Sequence, residues 1–237
     1  DPAMKLPIPS QIIGDGKVQP DTLATLDVGT LNGTSPFVSG QGFLIFEDGP
    51  SQITKSFNFR SSKEEISYLR IGPTLFRGAF TFDEAFLSPQ FRVPKDITYS
   101  DNPAKVRFSI TSNTGEEAVG AVGKIQLTLG PPSNDTDGPI ITFESKSGRI
   151  LRSGDHLSSE KKLIIRISDP LGINLTGEKG HELLFINPTM DDKSIVTERF
   201  IYDVNSLNTG TIEYNIPSED NQLSLVVSAW DNANNPT

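Results

Sequence analysis

The sequence predicts an all-β protein made of two consecutive β-sandwich domains. Three observations predict it. Apolar residues recur at every second position in short runs, the period of a strand with one buried face. No apolar pattern of helical spacing is sustained for three turns. Turn formers, with 20 Gly and 17 Pro among 237 residues, separate the runs without a fixed period.

The first strand series runs through the N-terminal half. "GFLIFED" places Phe43 and Ile45 on one face and Leu44 and Phe46 on the other. "ITKSFNF" alternates Ile53, Lys55 and Phe57 against Thr54 and Ser56. "LFRGAFTF" opposes Phe76, Gly78, Phe80 and Phe82 to Leu75, Arg77, Ala79 and Thr81. "KVRFSIT" buries Val106, Phe108 and Ile110, and "KIQLTL" repeats the device with Ile125, Leu127 and Leu129. "GPPSNDTDGP" at 130–139 then lacks any aliphatic side chain and reads as a linker. It divides the chain into residues 1–134 and residues 139–237, with the split near 134–138.

The second series begins with "PIITFES". "KLIIRISD" sets Leu163, Ile165 and Ile167 on one face, and "ELLFIN", "RFIYDV", "TIEYNI" and "LSLVVSAW" follow. These spacings suit an Ig-like sandwich of about 100 residues. In the last run Leu223, Leu225, Val227 and Ala229 share a face, which fixes its register.

Composition excludes several functions. The formal charge is −9, which repels phosphate backbones, so no nucleic-acid partner is expected. There is no cysteine, hence no disulfide, thiolate zinc site or cysteine nucleophile. No apolar run approaches the ~20 residues of a membrane-spanning helix.

Candidate chemistry is sparse. "SDPLGINLTGEKGHEL" carries Gly172, Gly177 and Gly180 and then His181, but lacks the spacing of a phosphate-binding loop and leads into a strand. Its glycines suit left-handed turns. His181 has no evident nucleophile to serve and is expected at a strand start, bonding backbone groups of the long loop. The adjacent pairs Glu64–Glu65, Glu116–Glu117 and Asp191–Asp192 point to opposite faces on a strand, so none makes a glycosidase pair. Most Phe residues alternate with polar ones, a core pattern rather than a sugar-binding platform.

Calcium is the one cofactor with candidate ligands. Ser133, Asp135, Asp137, Gly138 and Glu144 stand at positions 1, 3, 5, 6 and 12 of a calcium-loop pattern. Ser133 replaces a carboxylate there, and Pro139 with "IITF" favours a solvated linker followed by a strand. A second set is Asp169 with Asp231 and Asn232, which meet at one end of the sandwich if their strands are neighbours. Asx-turn capping accounts for the same residues without a metal.

Four segments carry a family resemblance. "DPAMKLPIP" at 1–9 looks like the tail that closes a caspase-like catalytic domain. "GAFTFDEAFLSPQFRVPKDITYSDNPAKVRFSI", "SDPLGINLTGEKGHEL" and "SAWDNANN" come after it in order. Together they resemble the region downstream of the catalytic domain in gingipain-type cysteine peptidases, and most nearly the cell-surface sortase of the bacterial type IX secretion system and its relatives. Pro170 and Leu171 before Gly172, and Lys179 before Gly180, depart from the family pattern. The family's catalytic His and Cys lie upstream, and no residue here matches them. The resemblance implies a non-catalytic accessory region at the bacterial cell surface or outside the cell. Its implied partners are its own catalytic domain and outer-membrane or secretion-system proteins. An extracellular adhesion or carbohydrate-binding module is the alternative.

Overall fold

The computed structural model describes residues 9, 11–59, 62–99, 101–156, 162–187, 192–216 and 223–237. The segment 1–8, and Asp191 of one acidic pair, lie outside the described residues. The first half contributes β1 (Gln11–Ile13), β2 (Lys17–Gln19), β3 (Thr22–Ala24), β4 (Val28–Thr34), β5 (Gly40–Glu47), β6 (Ser51–Phe59), β7 (Ser62–Arg70), β8 (Thr74–Phe82), β9 (Phe86–Leu87), β10 (Gln90–Arg92), β11 (Ala104–Ser112) and β12 (Glu117–Thr128). Residues 129–139 carry no regular structure. The second half adds β13 (Ile140–Ser145), β14 (Ile150–Leu151), β15 (Lys162–Ser168), β16 (Leu184–Asn187), β17 (Asp192–Ile195), β18 (Ile201–Tyr202), β19 (Thr209–Asn215) and β20 (Val226–Ser228). Among the described residues the one helical element is a 3-10 turn, Thr197–Arg199.

Alternation decides which faces are buried. Val106, Phe108 and Ile110 of β11 point into the core, as do Leu44 and Phe46 of β5 and Leu163, Ile165 and Ile167 of β15. In each half a strip of one long sheet packs on a small sheet. In the first half the order β1-β12-β11-β5-β8 is covered by β10-β4-β2, and Phe46 meets Phe91 across the layers at 4.4 Å. In the second, β18-β19-β15-β13-β14 is covered by β17-β16-β20, and Phe185 meets Tyr214 edge-on at 5.4 Å.

The two strips belong to one sheet. β18 runs parallel to β8, with Tyr202 opposite Gly78. Tyr202 is fully buried, stacks on Phe76 at 4.5 Å, and exchanges hydrogen bonds with both backbone groups of Ile173. A Cβ at Gly78 would come within 2.9 Å of the Phe76 ring and 3.1 Å of Tyr202. The absence of a side chain there is what lets the two halves approach.

Several runs end differently from the sequence expectation. Leu129 is exposed because β12 stops at Thr128 and no layer covers the chain beyond it. The last run forms only the three residues of β20, although Val227 and Ala229 are buried on the expected face. Among the described residues β6 and β7 pair only with each other, and their Phe57 and Phe59 are exposed rather than core. Alternation marks an apolar face but not whether another layer covers it.

Candidate functional site

Three of the four resembling segments converge at the junction between the halves. Asp96 lies in the irregular stretch after β10, held by buried Val93 and Ile97 on either side. Its Oδ2 accepts from His181 Nδ1 at 2.5 Å and from Asn174 Nδ2 at 2.8 Å, and its Oδ1 accepts from Asn234 Nδ2 at 2.6 Å. Asp96 comes from the first half, Asn174 and His181 from the long loop, and Asn234 from the C-terminal segment. The Lys95 amide also donates to the Asn232 carbonyl at 2.8 Å. His181 thus bonds a carboxylate across the junction with its ring, and its ring packs on Trp230 at 4.4 Å. The expected link to loop backbone is made only by its main chain, where the amide donates to the Glu178 carbonyl.

The loop itself is built on its turns. Gly172, Gly177 and Gly180 all have positive φ, as the glycine spacing implies. Asn174 is 1% exposed, and its Oδ1 accepts from the Thr176 amide and hydroxyl. Further along the junction, Asn205 bonds Thr81 through both ends of its amide, and Arg77 bonds the Glu198 carbonyl and carboxylate. This site ties two sandwiches together.

The calcium candidates regroup. Glu144 and Asp137 leave the proposed loop: Glu144 pairs with Arg166 at 2.8 Å on the sheet, and Asp137 is exposed, its amide donating to Asp135 Oδ1 at 3.3 Å. Asp135 instead joins Asp169 and Asp231, with one carboxylate oxygen from each lying within 4.8 Å of the others. Asp169 follows β15 and Asp231 follows β20. Their strands lie in different sheets, so they meet across the sandwich end rather than as sheet neighbours. Asn232 caps the turn after Asp169, donating from its backbone to Gly172 and from Nδ2 to Leu171.

The cluster is like-charged, with two of its three acids buried and Asp135 half-buried. Asp169 is 4% exposed and Asp231 0%. Two unit charges no more than 4.8 Å apart repel by about 3.5 kcal/mol or more at an effective dielectric near 20. Burial pushes the Asp169 carboxyl up to about 6, the charges of Asp231 and Asp135 add to this, and the Leu171 and Gly172 amides oppose it. Burial also raises Asp231, against the hydrogen bonds from Asn235. The sequence presented Asp135 and Asp169 in separate candidate sets. Their meeting depends on how the linker lies over the second sandwich. Asp96 was missed because a lone acid in "VPKDITY" gives no sign of its three partners.

No family model matches the chain, and no curated protein matches it. Among solved structures the chain is similar to dimeric latent PorU from Porphyromonas gingivalis, at 22% identity and a TM-score of 0.49, over 96% of this chain and 22% of that one. The chain spans about a fifth of that protein's length. It is also similar to Spo0M, a sporulation control protein from Bacillus subtilis, at 10% identity and a TM-score of 0.26, over 91% of this chain and 89% of that one.

Proposed function

We propose that this chain is a non-catalytic accessory region of a gingipain-type cell-surface peptidase or sortase, and that it docks and braces the catalytic domain outside the bacterial cell. The resemblance of its motifs supports the family. The observation that carries docking is the β6–β7 hairpin. Nine residue pairs make it about 30 Å long at the usual rise per residue. Ile53, Phe57, Phe59, Ile66 and Tyr68 share one face, interrupted by Lys55 and Glu64, with Phe59 66% and Ile66 56% exposed. The opposite face carries polar contacts such as Thr54–Ser67 and Ser56–Glu65. A two-stranded hairpin is marginally stable alone, so an apolar face of this size calls for a partner surface.

The non-catalytic reading is supported by the use made of His181, whose ring is engaged by Asp96 and Trp230. The test is binding between this chain and a separately expressed catalytic domain of a gingipain-type parent. Replacing Phe57, Ile66 and Tyr68 by Ser should weaken binding at least tenfold with the fold unchanged, because these side chains are exposed. Equal affinity of the variant would overturn the docking reading. The exposed Phe57, Phe59 and Tyr68 also fit the carbohydrate-binding alternative, which glycan-array binding lost in the same variant would favour.

A further inference from the structure

The carboxylate cluster at the end of the second sandwich is built from acceptors. Among the described residues no Lys, Arg or His forms an ion pair with Asp135, Asp169 or Asp231. Amides hold the groups in place: Leu171 donates to Asp169 Oδ1, Asp137 to Asp135 Oδ1, and Asn235 to both oxygens of Asp231. Among the described residues, two oxygens are left without a donor. Asp135 Oδ2 is shielded from solvent and has no donor. Asn232, itself 1% exposed and capping the Asp169–Gly172 turn, leaves its Oδ1 buried and without a donor. A buried acceptor without a donor is rare in native proteins and costly.

A hard cation relieves both problems together. Its two positive charges offset most of the charge of the three carboxylates, and it gives a partner to oxygens that no N–H reaches. We propose that Asp135, Asp169 and Asp231, with Oδ1 of Asn232, bind one divalent cation of the calcium class. The all-oxygen donor set favours such an ion over zinc, which prefers nitrogen and sulfur. Bound there, the ion clasps the connecting segment 130–139 onto the end of the second sandwich. Asn235 already leans the same way, donating from Nδ2 to the Asp135 carbonyl at 3.1 Å.

The chain's single tryptophan, Trp230, adjoins Asp231 and supplies a direct readout. Terbium is added to chelator-treated 237-residue protein, and its emission is followed with indole excitation. Saturable emission should appear at one terbium per chain and be displaced by calcium. Asp135→Asn should lower the apparent affinity at least tenfold, and its circular dichroism should match the parent. Asp137→Asn, which keeps the main-chain amide that bonds Asp135 and changes only an exposed side chain outside the cluster, should bind like the parent. Calcium should also raise the unfolding temperature of the parent and of Asp137→Asn but not of Asp135→Asn, because a ligand of the folded state stabilises it. Absence of calcium-displaceable emission in the parent overturns the proposal. So does undiminished affinity in Asp135→Asn, or an equal loss in Asp137→Asn.

Discussion

Asp169 shows how much a single side chain depends on its surroundings. In an unfolded chain its carboxyl titrates near the ordinary 3.8, and in the fold near 6. Between about pH 4 and pH 6 the folded state therefore holds more protons, so this group's contribution to stability falls as pH rises through that window. Asp231 is raised in the same direction, and Asp135 is the charge that faces both. In chelator, Asp169→Asn should gain stability relative to the parent on going from about pH 4 to about pH 7. Urea unfolding of both proteins at each pH measures the difference, and a gap that does not change with pH would refute the assignment. None of this was legible at the level of residue type. The sequence supplies an Asp after a strand, and burial among other acids is a property of the assembled end.

At the scale of elements, the fourteen Phe residues have a recurring use. Phe80 lies opposite Gly42, Phe108 opposite Gly120, and Phe91 opposite Gly29. Each ring folds over the bare backbone of its partner strand, and a Cβ would come within 2.2 Å of the ring at Gly42 and Gly120 and 2.7 Å at Gly29. The glycines make room for the rings, and the rings fill what the glycines leave bare. Gly42→Ala and Gly120→Ala should each destabilise by about 1–3 kcal/mol through forced ring movement. The solvent-facing Gly123→Ala, which meets nothing within 4 Å, should cost less than either. Chemical denaturation of the three variants ranks them, and a Gly123 cost equal to the others would remove the account. Gly42, Phe80 and Phe108 stood in alternating runs of the sequence, whereas Gly29, Phe91 and Gly120 did not. Their pairing required register, which depends on which strands are neighbours.

Across the whole molecule, the two halves are coupled by three kinds of contact. β8 and β18 share a sheet, Arg77 and Asn205 tie strand to loop, and Asp96 collects donors from the second half. Buried side chains form one cluster running through both halves. We expect calorimetry to give a single unfolding transition for the chain. Asp96→Ala leaves three donors without their acceptor and should cost about 2–3 kcal/mol, separating the transition into two. Two resolved transitions in the parent would mean that the halves fold independently despite the shared strand pair.

The sequence by itself determined the all-β class, the two alternating faces of β5, β8 and β15 and the buried face of β11, because a period of two is a local property of the chain. It also placed the glycine turns of the long loop, since positive φ is a demand made on single residues. Tertiary structure alone decided which apolar faces are covered, as with Phe57 and Leu129, and which acids meet, as with Asp135 and Asp169. It also decided that His181 and Asn174 serve Asp96. These outcomes depend on contacts between residues far apart in the chain, and the identity of a residue does not say which distant neighbour the fold will bring to it.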